Sequence, residues 1–152
     1  MADFNGENYQ AGFINKPSDK IIKGEVAGRK RIVLERRVLD SVLAVNDEVL
    51  GIFIPASSIV TDAKIKIDKS LGATGIFEMG HKANGVDSED SVAFVAAADA
   101  GGQAVLKRAN ELNAGMYKRF EKETQVFVKC TEIMDGSVLD AVITFEVEYV
   151  ND

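Results

Sequence analysis

Three separate stretches of this chain keep a strict two-residue period, and that period constrains the fold more than any other feature. Ile59, Thr61, Ala63, Ile65 and Ile67 alternate with Val60, Asp62, Lys64, Lys66 and Asp68. Val126, Val128 and Cys130 alternate with Gln125, Phe127, Lys129 and Thr131. Ala141, Ile143, Phe145, Val147 and Tyr149 alternate with Val142, Thr144, Glu146 and Glu148. Successive side chains of a strand point to opposite faces, so each run reads as a strand with one face on a core and one toward water. The second and third runs flank Asp135-Gly136 and read as a hairpin with a loop longer than the tightest kind.

The other segments are less regular. Residues 29–39 have strand residue types, with Ile32, Val33, Leu34, Val38 and Leu39. A turn at Val45-Asn46-Asp47-Glu48 precedes an apolar strand over 49–54 that Pro55 stops. A further strand over 74–79 is closed by Gly80 and the polar loop 82–87. Ser88 has the character of an N-cap, Glu89 and Asp90 suit a first helical turn, and Gly101-Gly102 suits a stop, so 89–99 is expected to be a short alanine-rich helix. Two readings of 103–120 stay open, a helix extension or an edge strand through Gln103-Ala104-Val105-Leu106-Lys107-Arg108. The expected architecture is all-β, a mostly antiparallel and jelly-roll-like β-sandwich of seven or eight short strands, with one short helix and an extended N-terminal arm. Residues 1–19 form the arm and 20–152 the single domain. The arm has no strand or helix period, yet carries Phe4, Tyr9, Phe13 and Ile14. Large apolar groups are scarce in free arms, so these are expected to lie on the arm's own domain or on a neighbouring subunit.

At 152 residues the chain can bury a sizeable single core. Cys130 is its one cysteine, so no internal disulfide forms. The polar, acidic start lacks the basic and apolar regions of a secretory signal, and no apolar run approaches a membrane span, so a cytoplasmic origin and no membrane partner are expected. Net charge is −6, unevenly spread: between residues 20 and 37, seven basic side chains face two acidic ones, a local +5 that leaves −11 for the remainder. That total argues against nucleic acid as the partner. The basic stretch either keeps a strand soluble or steers a negatively charged surface.

Catalytic constellations fail one by one. His81 is the one histidine, too few for the histidine-rich metal sites of jelly-roll enzymes, and its place after Gly80 suggests an exposed loop. Cys130 shares an apolar face with Val126 and Val128, where a thiol is inert. Asp87-Ser88-Glu89-Asp90 lacks the spacing of a calcium loop. Neither Gly72-Ala73-Thr74-Gly75 nor Gly101-Gly102 has the lysine or context of a phosphate loop. A glycosidase cleft would want sugar-stacking aromatics, and tryptophan is absent. No enzyme activity, catalytic residue, metal or cofactor is therefore expected.

One pattern is familiar. It comprises Asn46-Asp47-Glu48-Val49-Leu50-Gly51-Ile52-Phe53-Ile54-Pro55-Ala56-Ser57-Ser58-Ile59-Val60, then Ala63-Lys64-Ile65-Lys66-Ile67-Asp68, then Gly72-Ala73-Thr74-Gly75-Ile76-Phe77-Glu78-Met79-Gly80. With Asp90-Ser91-Val92-Ala93-Phe94-Val95-Ala96-Ala97-Ala98-Asp99 and Ile143-Thr144-Phe145-Glu146-Val147-Glu148-Tyr149, it resembles structural proteins of tailed bacteriophages over roughly residues 30–150. At this size and acidity the resemblance is to jelly-roll capsid decoration, or cement, proteins. It implies a virion protein made in the host bacterial cytoplasm and placed on the capsid surface as a dimer or trimer. Its implied partner is the major capsid protein. Family contacts are often made by terminal arms, so Phe4, Tyr9, Phe13, Ile14, Arg29 and Arg31 are the expected contact residues. Three alternatives stand beside this one, and an enzyme of unknown class ranks last among them. A head-completion or tail-adaptor protein would occur in few copies per particle. A carbohydrate-binding β-sandwich would need an exposed aromatic face, for which Phe127 is the candidate.

Overall fold

A computed structural model of the chain describes residues 30–71, 74–101, 103–132 and 140–151. Among them are nine strands: β1 (Lys30–Val38), β2 (Glu48–Ile54), β3 (Ser58–Ile67), β4 (Ile76–His81), β5 (Asp90–Asp99), β6 (Val105–Arg108), β7 (Arg119–Phe120), β8 (Thr124–Glu132) and β9 (Val142–Asn151). One sheet runs β1-β9-β3-β6, with β7 also paired to β3; the other runs β2-β8-β4-β5. Every pairing is antiparallel. Strand β1 pairs β9, β2 pairs β8, β3 pairs β6 and β4 pairs β5. This is one long hairpin rolled over itself so that its arms alternate between sheets, the strand order of a jelly roll.

The alternating runs explain why the sheets stack. Ile65, Ile67, Ile143, Phe145 and Val147 from the first sheet, and Ile54, Phe77, Met79, Val126 and Val128 from the second, lie in one fully buried cluster. Full burial of each such side chain contributes about 1.5–3 kcal/mol, which is what drives the layers together. Gly51 of β2 lies against the Phe145 ring; a Cβ there would come within 2.9 Å of it. The absent side chain lets the ring span the gap between sheets.

Three expectations are corrected, and one open reading is resolved. Residues 89–99 do not form a helix: 90–99 are strand β5. The Asp90 carboxylate, expected in a first helical turn, accepts the Val92 N–H at the start of the strand, and Asp99 accepts the Gly101 N–H at its end. Alanine's modest helix preference loses to pairing with β4, which buries Ala93, Phe94, Val95 and Ala98. Strands β8 and β9 do not form a hairpin, because they belong to different sheets. Each buries a whole face, and the faces are satisfied across the core, not side by side. Within β3, Ile59 and Thr61 are not on the core face. A bulge between Val60 and Asp62 shifts the register against β9, so Ser58 and Val60 point inward before it and Ala63, Ile65 and Ile67 after it. Finally, the open reading of 103–120 resolves in favour of an edge strand, β6, followed by a loop that ends in β7.

Candidate docking surface

Strand β1 is an edge of the five-stranded sheet, paired with β9 in unbroken register from Lys30↔Val150 to Val38↔Val142. One face of β1 carries Ile32, Leu34 and Val38, which are 59%, 60% and 60% exposed. On the other face Val33 packs against the core, while Arg31 and Arg37 are exposed. Arg37 pairs with Glu35 on the same strand. A row of aliphatic side chains on a water-facing edge is uncommon in a protein that keeps to itself.

Beside this edge the outer face of the sheet is an ordered grid of charge. Lys30 on β1 meets Glu148 on β9 at 2.9 Å, and the Thr61 hydroxyl of β3 donates to Glu148 at 2.7 Å. One register step along, Glu146 accepts from Lys64 at 2.7 Å. Arg108 of β6 meets Asp62 at 2.9 Å. Lys30 and Thr61 together hold the Glu148 carboxyl below its ordinary pKa, while Glu148, Glu146 and Asp62 raise Lys30, Lys64 and Arg108 respectively. Next to the grid a groove of about 310 Å³ is lined by Leu34, Arg36, Lys66, Thr144 and Glu146. Arg36 and Lys66 flank Thr144 from opposite sides, because the register places Arg36, Thr144 and Lys66 in one cross-strand row.

The other side chains singled out in the sequence, His81, Phe127 and Cys130, are buried. His81, expected in an exposed loop, is 2% exposed at the end of β4. Its ring meets Phe120 edge-on at 5.0 Å and Phe94 at 6.3 Å, with Nδ1 3.1 Å from the Lys82 carbonyl oxygen. The signal was present in the sequence, since Phe77, Met79 and His81 share one strand face. Phe127, the expected sugar platform, is 0% exposed. It does point away from the main core, but the Lys82 ammonium lies 4.2 Å from its ring centroid, held there by Glu48 and Glu89. Burial pulls the Lys82 pKa down, and those two carboxylates more than offset it. No local pattern revealed this cover, because it joins residues far apart in the chain. Cys130 is buried, as its strand face implied, and burial followed by the Asp47 charge pushes its thiol pKa up. Among the described residues no three His, Cys, Asp or Glu side chains approach closely enough to hold a metal ion.

Of the six expected contact residues, Arg31 is exposed on β1, whereas Phe4, Tyr9, Phe13, Ile14 and Arg29 lie outside the described residues. Ile32, Leu34, Val38 and Arg36, exposed on β1, and Lys66 beside them were not among the expected contacts; the imperfect alternation of 29–39 was the visible trace of an edge with apolar groups on its wet face.

No family model matches the chain, and no curated protein matches it. Its fold is similar to that of a chain in the solved capsid of Ralstonia phage GP4, with TM-score 0.67 and 18% identity over 82% of this chain and 86% of that one. It is likewise similar to a chain of the cyanophage Pam1 capsid asymmetric unit, with TM-score 0.62 and 15% identity over the same shares, 82% and 86%. At these identities the likeness is one of fold.

Proposed function

We propose that this chain is a non-enzymatic structural protein of a phage virion, made in the host bacterial cytoplasm, that decorates the capsid surface and stabilises it by binding the major capsid protein. The observation that carries this reading is the jelly-roll sandwich itself, similar across four-fifths of its length to chains found in two phage capsids. The apolar edge and the residues of the arm supply surfaces for neighbours, and the protein works as a dimer or trimer. A symmetric shell repeats each contact many times, so a modest energy per copy is enough to tie adjacent subunits together. Phe4, Tyr9, Phe13 and Ile14, with Arg29 and Arg31 behind them, are the anchors this reading assigns to the arm. Aromatic groups bury about 150–250 Å² each when covered, enough to offset the ordering of the arm only where a preformed groove receives it.

The test adds purified protein to capsids assembled without it and counts bound copies against the major capsid protein. Many copies in a fixed ratio are expected, and joint replacement of Phe4, Tyr9 and Phe13 by alanine should weaken binding without lowering the melting temperature. A few copies per particle would favour the head-completion or tail-adaptor alternative. No binding would remove the capsid reading.

A further inference from the structure

We infer that the open edge of β1 receives an extended, acidic segment of a neighbouring capsid subunit as an added strand. This rests on the capsid reading above and specifies how the partner is held. Among the described residues four strands end the sheet orders, β1 and β6 in one sheet and β2 and β5 in the other. Three of them are blunted. Strand β6 has four residues, with the two-residue β7 beside it along β3. Strand β2 breaks register between Leu50 and Phe53. Strand β5 breaks register twice against β4. Bulged and short edges resist further pairing, which is how soluble sheets avoid adding strands. Strand β1 has neither defence: nine residues long, it keeps unbroken register with β9 and contains no proline. Its outer backbone groups are free among the described strands, a ready template for strand addition.

Charge selects the occupant. Strand β1 carries Lys30, Arg31, Arg36 and Arg37 against Glu35, a net +3 on a chain whose total is −6. A second copy pairing through the same edge would set one +3 strand against another, and like charges facing across strands are destabilising. Lys30 and Arg37 already have carboxylate partners, whereas no carboxylate of the described residues pairs with Arg31 or Arg36. An incoming strand with an acidic side chain near Arg36, and apolar side chains against Ile32 and Leu34, satisfies both the backbone and the side chains of this edge. The groove at Leu34, Arg36 and Lys66 gives such an acidic group a second cation.

Amide hydrogen exchange on the full-length protein, free and bound to capsids lacking it, tests this directly. Exchange in 30–38 is expected to slow by about tenfold or more on binding, while 105–108 on the opposite edge stays unchanged. Leu34→Asp and Arg36→Glu should each lower capsid affinity by about tenfold or more at an unchanged melting temperature, whereas Leu112→Asp, on an exposed loop, should not. Bound protein whose β1 amides exchange as fast as in the free state would overturn strand addition and leave decoration standing. Failure of the wild-type protein to bind would overturn both. Slow β1 exchange in the free protein, or its appearance on self-association alone, would mean that the chain or a second copy covers the edge, and either result overturns the inference. So would equal protection by naked duplex DNA.

Discussion

Phe145 lies between Val147 and Ile143 on the inner face of β9, opposite Ile65 in register and against the backbone of Gly51. Both aromatic and aliphatic members of that pair are fully buried, so Phe145→Ala is expected to cost about 3–5 kcal/mol and Ile65→Ala about 2–5 kcal/mol in urea unfolding. Lys64, one residue away, is partly exposed and shares its carboxylates with solvent; Lys64→Ala should cost under about 1 kcal/mol. Equal costs at 64 and 65 would mean the strand sits one residue out of register. Such inside-or-outside assignments were legible in the sequence wherever a strand runs straight, as at Ile143, Phe145 and Val147. They failed at Ile59 and Thr61, where one extra residue exchanges the faces, and at Phe127, whose cover comes from Lys82 of another strand. Periodicity reports the direction of a side chain; it does not report what lies over it.

At the level of elements, β5 is where sequence rules mislead most. Between Met79↔Val95 and His81↔Asp90 it runs five steps against two of β4, so its bulge must press onto the neighbouring strand. Gly80 makes room: a Cβ there would lie 1.9 Å from the Asp90 carbonyl oxygen and 2.6 Å from Ser91. The obstruction is backbone, which cannot swing aside as a long side chain can. Gly80→Ala is therefore expected to destabilise by at least the ~1–3 kcal/mol typical of overpacking, with the exchange of 90–95 amides accelerated. Wild-type stability and exchange would show that the bulge moves freely. A capped, alanine-rich segment reads as a helix only when considered alone; its pairing with β4 is a contact the local sequence does not display. The edge strand β1 was legible as a strand, but its role at an edge depends on β9 lying on just one side of it, more than a hundred residues further on.

Across the whole molecule, the acid and alkaline limits of stability follow from the direction of the perturbed groups. Asp87, chiefly through Lys118 and then Asn84, and Glu148, through Lys30 and Thr61, both titrate below their ordinary values. Their contribution is complete above the usual carboxylate pKa of about 4 and is lost as pH falls through the depressed values. Lys30 and Lys64 titrate above theirs, so their contribution is complete below about pH 10 and is lost as pH rises past the raised values. Cys130 is disfavoured as a thiolate and begins to cost stability above its ordinary value of about 8.5. Melting temperature should thus hold a plateau from about pH 5 to about pH 8.5. The acid decline should be reduced in Glu148→Gln, which no longer has a carboxylate to protonate.

The position of β9 sets the order in which this molecule can be built. It lies between β1 and β3, so the first and third strands to be made wait for the ninth before the sheet between them can close. A growing chain has the four strands of the second sheet in hand once β8 is out, while the sheet that covers them still lacks its central β9. Distant pairings of this kind put folding in the millisecond-to-second range typical of β-sandwiches. A copy that has not yet placed β9 therefore has no completed edge at β1, so the strand order alone withholds the docking surface proposed above from an incompletely folded molecule.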